Sequence, residues 1–318
     1  MNAASRPTRR RTLSRVATAA LVATLVGTTA GTAMAEDAAP TPLQDAVRHA
    51  AKHKVPGHSA SKSMKLKAFP GDAPIFPLSA VNGSGDLYEY WPSGNGGLED
   101  RQYVTDGWGD FDAASTVDHS KTGYATGLYA RTTDGRLIYA GEGAGTDGAR
   151  EVGPGWNMYD KVFSPGDLGG AKEADILARD KDGVLWLYLG YPDGTLTGRY
   201  RVGPGWGQYT AITGQGDLTG DGKTDIVARD KDGVLWLYKG TGDYKKPFAA
   251  RTKIGPGWNQ FNALASTGDV DIDGHNDLVA RDKDGALWLY KGTGKASAPF
   301  QARVKIGNSG WNQYRLLF

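Results

Sequence analysis

Aspartates alternate along two short loops in the C-terminal half of the chain. In the segment GDVDIDGHND they occupy every second position and are followed by a glycine. A hard cation such as Ca²⁺ takes about six to eight oxygen ligands, which a short loop supplies through alternating carboxylates and a glycine turn. The predicted ligands of this loop are Asp269, Asp271, Asp273, the backbone carbonyl of His275, and Asp277.

The preceding loop, GDLTGDGKTD, repeats this pattern with one change. Its predicted ligands are Asp217, Thr219, Asp221, the backbone carbonyl of Lys223, and Asp225. Because Thr219 supplies a neutral oxygen where the other loop has a carboxylate, we expect this site to be the weaker one. The alternative for both loops is a polar turn in which aspartates cap backbone amides, although clustered carboxylates repel one another without a cation.

Two further segments show how far the loop pattern extends. One keeps Asp167 and Asp175 but has Gly169 and Ala171 between them, so no metal site is predicted there. The other keeps a single carboxylate at Asp118. Since ligands are lost while the strand pattern persists, we expect the cation to stabilise two units locally and not to be required by every unit.

Positive signs of catalysis are lacking. The chain has five histidines and none of the GxSxG, HExxH or GxxxxGK patterns. His49 and His53 are spaced to share a helix face, but two ligands alone make a poor transition-metal site. A triad assembled from distant residues stays open. We predict that the protein is not an enzyme.

Tryptophans and amide side chains recur after glycine-rich turns. An aromatic plate beside amide donors suits a hydroxyl-rich ligand, and packing against a neighbouring unit is the alternative. The candidate ligand-binding residues are Trp156, Asn157, Trp206, Gln208, Trp258, Asn259, Trp311 and Asn312. Trp186, Trp236 and Trp288 stand in apolar runs and are predicted to pack in the core between units.

All these residues lie on five similar units of about 50 residues. GW turns place Trp108, Trp156, Trp206, Trp258 and Trp311 at spacings of 48, 50, 52 and 53 residues. A second marker, of which GVLWLY is typical, begins at Gly85, Gly135, Gly183, Gly233 and Gly285, at spacings of 50, 48, 50 and 52 residues. Two markers with the same period indicate a repeat architecture.

Each unit contains four short runs rich in Val, Leu, Tyr and Trp that end in Gly, Asp, Asn or Pro, which is typical of strands and hairpins. In VLWLY (184–188) both faces are apolar, which predicts a strand buried on both sides. Such sheets are stable only when stacked around an axis and closed into a ring. The predicted fold is an all-β propeller of five blades, each with four antiparallel strands.

The segments GDLTGDGKTDIVARDKDGVLWLYKGTG (216–242) and GDVDIDGHNDLVARDKDGALWLYKGTG (268–294) resemble FG-GAP or VCBS repeats, the blades of integrin-like propellers in secreted bacterial proteins. The resemblance covers the five units and implies calcium at both aspartate loops. Integrin-type propellers have seven longer blades. Five units of this length are similar instead to tachylectin-type five-bladed lectins, an architectural likeness that suggests sugar binding.

The first 35 residues predict an export signal. They contain five arginines and no acidic residue, followed by an uncharged run that ends in Ala-Met-Ala before Glu36. A membrane anchor is the less favoured alternative, because this run is rich in Ala, Thr and Gly. The segment TRRRTLS loosely resembles a twin-arginine signal, which leaves the export route open. Residues 36–70 are predicted to form a short helix and a basic linker, either a tether or a pro-segment, and residues 71–318 the propeller.

Charge and cysteine content restrict the partner. The chain has 37 basic and 35 acidic residues, and removal of the signal takes away 5 and 0, which leaves 32 against 35 and a net charge of −3. No basic patch of the kind that binds a phosphate backbone remains, which argues against nucleic acid. The chain has no cysteine and therefore no disulfide.

These observations predict a secreted, calcium-binding propeller that acts as a recognition module, with lectin-like binding of extracellular or cell-envelope carbohydrate. One alternative is a propeller that docks an extracellular protein and uses calcium structurally. A second alternative is an accessory module of a secreted hydrolase. We expect a monomer with no membrane span in the mature chain.

Overall fold

The computed structural model describes residues 41–52 and 73–318. The predicted signal (1–35), its cleavage site, His53 and the basic linker lie outside the described residues. The helix is α1 (Pro42–Lys52). The strands are β1 (Leu78–Asn82), β2 (Leu87–Tyr90), β3 (Gln102–Thr105), β4 (Phe111–Val117), β5 (Gly127–Thr132), β6 (Leu137–Gly141), β7 (Ala149–Gly153), β8 (Tyr159–Gly166), β9 (Asp175–Asp180), β10 (Leu185–Tyr188), β11 (Tyr200–Gly203), β12 (Tyr209–Thr213), β13 (Ile226–Asp230), β14 (Leu235–Tyr238), β15 (Thr252–Gly255), β16 (Phe261–Ala265), β17 (Leu278–Asp282), β18 (Leu287–Tyr290), β19 (Val304–Gly307) and β20 (Tyr314–Leu317).

The strands form five antiparallel sheets of four strands, which confirms the predicted five-bladed propeller. Blade 1 has the order β20–β1–β2–β3, and blades 2 to 5 contain β4–β7, β8–β11, β12–β15 and β16–β19. Blade 1 joins the two ends of the chain, with Ala80 opposite Leu317 and Val81 opposite Leu316. The fourth strand of each sequence unit is therefore the first strand of the next blade. This offset closes the ring through backbone hydrogen bonds and leaves no unpaired inner strand.

Five apolar clusters hold the ring together, one between each pair of neighbouring blades. Each contains the tryptophan of a GW turn, which lies in a short 3₁₀ turn just before the first strand of a blade. These tryptophans are Trp108, Trp156, Trp206, Trp258 and Trp311, all buried. Because the apolar area lies between blades and not inside them, no blade can bury its own core alone.

The strand VLWLY differs from its prediction. Leu185 and Leu187 are fully buried and face blade 4, whereas Trp186 and Tyr188 face blade 2 and are only half-buried. The same alternation occurs in β14 and β18. The outer part of each cleft between blades thus stays open to solvent, which an apolar pattern on both faces does not reveal.

Helix α1 forms where the sequence predicted a short helix, and it packs on the cleft between blades 1 and 2. Leu43 and Ala46 are buried in the apolar cluster of that cleft, together with Leu128 and Ala130 of β5. Within the described residues, no helix has the length and apolar character needed to cross a membrane.

Candidate functional site

The two aspartate loops connect the first and second strands of blades 4 and 5. Each loop turns on a glycine with positive φ, +77° at Gly222 and +92° at Gly274. The corresponding loop of blade 3 keeps this backbone conformation with Lys172 at φ +95°. The loop shape therefore does not depend on the metal ligands, since the blade 3 loop lacks most of them.

In the blade 5 loop, three carboxylates converge. Ligand oxygens of Asp269, Asp271 and Asp273 all lie within 4.8 Å of one another. The Asp271 side chain is only 6% exposed, and its buried Oδ1 has no hydrogen-bond partner among the residues that the structure describes. Burial raises the pKa of Asp269 to about 6. A buried carboxylate oxygen without a donor, beside two other carboxylates, fits a hard cation such as Ca²⁺.

The blade 4 loop brings together Asp217, Asp221 and Asp225, again within 4.8 Å of one another. The Thr219 side chain is buried beside Asp217, and its backbone N–H donates to Asp217 Oδ1 at 2.8 Å. Lys223 is exposed, and its N–H donates to Asp221 at 3.1 Å. This donor set also fits a hard cation, with a hydroxyl at the place of one carboxylate.

Asp277 accepts hydrogen bonds from two backbone segments and lies outside the group of three carboxylates in its loop. Its side chain is fully buried, Oδ1 accepts the Gly292 N–H at 2.7 Å, and Oδ2 accepts the Val270 N–H at 2.8 Å. Asp175 of blade 3 makes the same contacts to Leu168 and Gly190 without a metal loop around it. The aspartate at this position therefore has a structural role that is independent of a cation.

Asp225 takes the same position in blade 4 and accepts the Gly240 N–H at 2.8 Å, but one of its oxygens also joins the carboxylate group. Burial raises the pKa of Asp225 to about 6 and that of Asp277 to about 7. His275 donates its N–H to Asp273 Oδ1 at 3.0 Å, and its ring lies against Gly294.

A lysine accompanies each three-carboxylate loop. Lys291 Nζ lies 2.7 Å from Asp271 Oδ2, and Lys239 Nζ lies 3.0 Å from Asp221 Oδ2. Both lysines directly follow the third strand of their blade. In blade 3 this position is Leu189, which lies over Gly169 in the loop without ligands. The lysine thus occurs together with the carboxylates and offsets part of their charge.

The candidate ligand-binding tryptophans are interblade packing residues in this structure. Trp156, Trp206, Trp258 and Trp311 are each less than 10% exposed and present no free ring face. Their amide neighbours are exposed, but Asn259 and Asn312 donate to the backbone carbonyls of Lys231 and Lys283 in the preceding blade. Asn157 lies against Gly135 in the same way.

A second set of aromatic residues lies at the outer, open part of the clefts. They are tryptophans predicted to pack in the core between units, and they do pack against the interblade clusters, but only from the edge. Each is half-buried, and an arginine guanidinium covers its ring. The pairs are Trp186 with Arg199, Trp236 with Arg251, and Trp288 with Arg303, at 4.2, 4.1 and 4.1 Å between guanidinium carbon and ring centroid. The indole N–H groups donate to Asp180, Asp230 and Asp282 at 2.8, 2.7 and 2.7 Å. We call these groups the Trp–Arg clefts.

One predicted ligand-binding residue does join a Trp–Arg cleft. Arg251 donates to Gln208 Oε1 at 3.2 Å, and Arg303 donates to the equivalent Gln260 at 2.6 Å. In blade 3 an exposed methionine, Met158, takes this place. A sequence signal existed, because an arginine follows each of the three tryptophans by 13, 15 and 15 residues.

The other two clefts differ. Between blades 5 and 1, Arg101 lies 5.0 Å from the ring of Tyr88, so a tyrosine replaces the tryptophan. Between blades 1 and 2, Ile138 takes the tryptophan position and packs against the cluster that contains Leu43 of α1. The chain's own helix therefore covers the cleft that, among the described residues, lacks the stacked aromatic–arginine pair.

The sheets and their aspartate loops define a five-bladed β-propeller with candidate cation sites in two blades. Residues 217–280 match the family model described as an FG-GAP-like repeat, and the chain thus carries an FG-GAP-like repeat in a five-bladed propeller. The matched segment contains every predicted ligand of the blade 4 loop and of the blade 5 loop.

Similar solved structures are distant in sequence. The BP39L lectin from Burkholderia pseudomallei is 14% identical, with a TM-score of 0.46 and coverage of 73% of this chain and 69% of the lectin. AofleA from Arthrobotrys oligospora is 11% identical, with a TM-score of 0.43 and coverage of 76% and 75%. Prp20p from Saccharomyces cerevisiae is 13% identical, with a TM-score of 0.37. The match covers 72% of this chain and 61% of the length of Prp20p. No curated protein sequence matches the chain.

Proposed function

We propose that this protein is a secreted, non-catalytic recognition module that binds carbohydrate at its Trp–Arg clefts. One observation carries the proposal: three consecutive blades present the same arginine-on-tryptophan pair at equivalent, solvent-open positions. Repetition of one weak site suits a polymer with repeated sugar units, because linked sites bind far more tightly than any single one.

The chemistry of a Trp–Arg cleft suits hydroxyl groups. The flat stack of indole and guanidinium offers an apolar surface beside several N–H donors. Asp230 orients the indole of Trp236, and Gln208 orients Arg251, so the pair is held before a ligand arrives. Preorganised donors lose less entropy when a ligand binds.

Calcium at the aspartate loops has a structural role in this proposal. The loops connect the first and second strands of a blade, whereas Gln208 and the GW turns lie at the opposite strand ends. A cation at Asp217 or Asp269 therefore stabilises blades 4 and 5 without contacting a ligand in the clefts. We expect EDTA to lower stability and to leave binding intact at temperatures where the fold persists.

The test is binding of the mature chain, residues 36–318, to a panel of immobilised glycans, once with Ca²⁺ and once with EDTA. The binding variant combines Arg199→Met, Arg251→Met and Arg303→Met, which keep the aliphatic stems over the rings. We expect its apparent affinity for any bound glycan to fall at least about tenfold, and single variants to lose less. Tyr191→Ala, at an exposed loop residue away from the clefts, is the matched control.

Each outcome is decisive. Glycan binding that the triple variant retains would exclude the clefts as the site. Binding lost in EDTA while the fold persists would place the cation in the ligand site and contradict its structural role. No glycan binding in either buffer would favour the alternative, a propeller that docks an extracellular protein.

A further inference from the structure

The central channel of the propeller contains two adjoining cavities of about 190 and 250 Å³. Together they are lined mainly by β4, β8, β12, β16 and β20, the innermost strands of the five blades. Lys161 of β8 lines both cavities, together with Leu264, Leu316 and Leu317. The channel is therefore a space of several water volumes with one lysine between its two halves.

The larger cavity carries an excess of positive charge. Lys161, Arg179, Arg281 and Arg315 line it, and no carboxylate is among its lining residues in the described part of the chain. Asp160 pairs with Arg179 at 2.8 Å and also lines the smaller cavity beside Lys161. Lys161, Arg281 and Arg315 thus face the larger cavity without an ion pair to a described residue.

The two remaining arginines bind neutral groups only. Arg281 donates through Nε to the Asn262 carbonyl oxygen and through Nη1 to backbone carbonyls of Trp311 and Tyr314. Its Nη2 has no acceptor among the described residues. Arg315 donates through both Nη atoms to backbone carbonyls of blade 2, which leaves Nε without an acceptor there. Each guanidinium therefore keeps donor capacity.

Lys161 is the least compensated of these cations. Within residues 41–52 and 73–318, its Nζ makes no hydrogen bond and no ion pair. It lies 5.7 Å from the centroid of the Phe163 ring, and the nearby Asp160 carboxylate offsets part of its charge. Burial and the neighbouring Arg179 lower the pKa of Lys161. A partly buried ammonium group without an ion-pair partner is unfavourable, because the Coulomb and hydrogen-bond energy lost from water is only partly regained.

We propose that the central channel binds an oxyanion, with Lys161 as its principal counter-charge and Arg281 and Arg315 on the cavity wall. A carboxylate, phosphate or sulfate accepts several N–H bonds at once, which matches an ammonium and two guanidinium groups better than a spherical ion does. The site is separate from the Trp–Arg clefts and from the aspartate loops.

The experiment measures binding of sulfate, phosphate and glucuronate to the mature chain by calorimetry and by thermal unfolding, at constant ionic strength in a buffer free of other oxyanions. We expect saturable binding of at least one anion and a melting temperature that rises with its concentration, since a ligand of the native state stabilises by mass action. Glucuronate alone would assign the site to a sugar acid, and sulfate or phosphate alone would assign it to an inorganic anion.

Lys161→Met separates a site from a general salt effect. It keeps most of the aliphatic stem and removes the charge, so we expect it to melt higher than the wild type without anion and to show no anion-dependent rise. Lys253→Met, at an exposed residue of the outer strand β15, should behave as the wild type. No saturable binding of any of the three anions, or an equal response of Lys161→Met and wild type, would overturn the proposal.

Discussion

The guanidinium of Arg315 in blade 1 donates a hydrogen bond of 2.7 Å to the backbone carbonyl of Phe111 in blade 2. At the other four blade boundaries the equivalent bond starts from the second strand of a blade. Those bonds run from Arg131 to Tyr159, from Arg179 to Tyr209, from Arg229 to Phe261 and from Arg281 to Tyr314. The second strand of blade 1 has Val81 at this position, so the arginine comes from the neighbouring strand β20. Each boundary thus keeps one guanidinium that donates to backbone carbonyls of the next blade, although its origin changes and Arg315 is more exposed than the other four.

We predict that Arg229→Met destabilises the protein by about 1–3 kcal/mol, because it leaves two buried interblade carbonyls without a charged donor, and that Arg315→Met costs less, because water reaches the exposed Arg315 site. Denaturant unfolding of both variants measures this. Arg201→Met, at an exposed residue of β11, is the control and should change stability by less than about 0.5 kcal/mol. An Arg315→Met curve that overlays this control would refute the role of Arg315 in closure.

The aspartate loops contain two kinds of aspartate, and the effect of substituting them should depend on Ca²⁺ for one kind and not for the other. Asp273→Asn removes an exposed carboxylate of the group of three, so we expect it to lower the melting temperature only when Ca²⁺ is present. Asp277→Asn leaves a buried backbone N–H facing an amide N–H and should cost about 1–3 kcal/mol with or without the ion. The measurement is thermal unfolding in Ca²⁺ and in EDTA.

Asp175→Asn serves as the matched control, since Asp175 has the place of Asp277 in a blade without a metal loop. Its cost should equal that of Asp277→Asn in EDTA. If Asp273→Asn is as destabilising in EDTA as in Ca²⁺, the loop around Asp269 is a polar turn and not a cation site.

Lys291 should oppose calcium binding. Its ammonium group lies against Asp271 and must share that carboxylate with a cation, so Lys291→Met should bind Ca²⁺ more tightly, by about threefold to tenfold. The same variant should be less stable than the wild type in EDTA, because three carboxylates then lack a counter-charge. Calorimetric Ca²⁺ titration and unfolding in EDTA test the two parts, with Lys305→Met on the outer strand as control. Unchanged Ca²⁺ affinity would show that lysine and cation do not compete.

His119 should make the protein sensitive to acid. Its ring is buried at the second loop position of blade 2, accepts the Ala174 N–H at 3.2 Å, and lies 3.3 Å from the Tyr129 hydroxyl. Burial lowers its pKa from 6.5 to about 4. Between these values the unfolded chain takes up a proton and the folded chain does not, so stability falls as pH decreases. The expected loss at pH 4 is about 3 kcal/mol.

His119→Asn keeps an acceptor for Ala174 and removes the titration, so its stability should fall less between pH 6.5 and 4. Burial raises the pKa of Asp175 to about 7, so protonation of this carboxyl increases the free energy of unfolding as pH falls. This contribution is the same in variant and wild type and therefore cancels when the two proteins are compared. Denaturant unfolding across this pH range gives the difference. Parallel pH profiles for variant and wild type would show that His119 does not control acid stability.

The repeat and its strands could be read from the sequence because they depend on neighbours along the chain. Alternating apolar residues, Gly-containing turns and the 48 to 53-residue period fix strand length and blade number. The aspartate loops are equally local, since Asp269, Asp271 and Asp273 meet within five residues. The exception within the loop is Asp277, whose carboxylate is occupied by backbone amides, one of them fifteen residues away.

What only the tertiary structure decided is which residues of different blades meet. Both the GW turn and the LWLY strand place a tryptophan in every one of blades 3 to 5. Trp206 of a GW turn is buried because the neighbouring blade covers it, whereas Trp236 of an LWLY strand is half-buried at the edge of a cleft. Arg315 of β20 makes the interblade hydrogen bond that an arginine of the second strand makes in the other blades. Lys161 faces a channel that exists only after the ring has closed. These contacts join residues far apart in the chain, 204 positions in the case of Arg315 and Phe111, and local sequence contains no information on such distances.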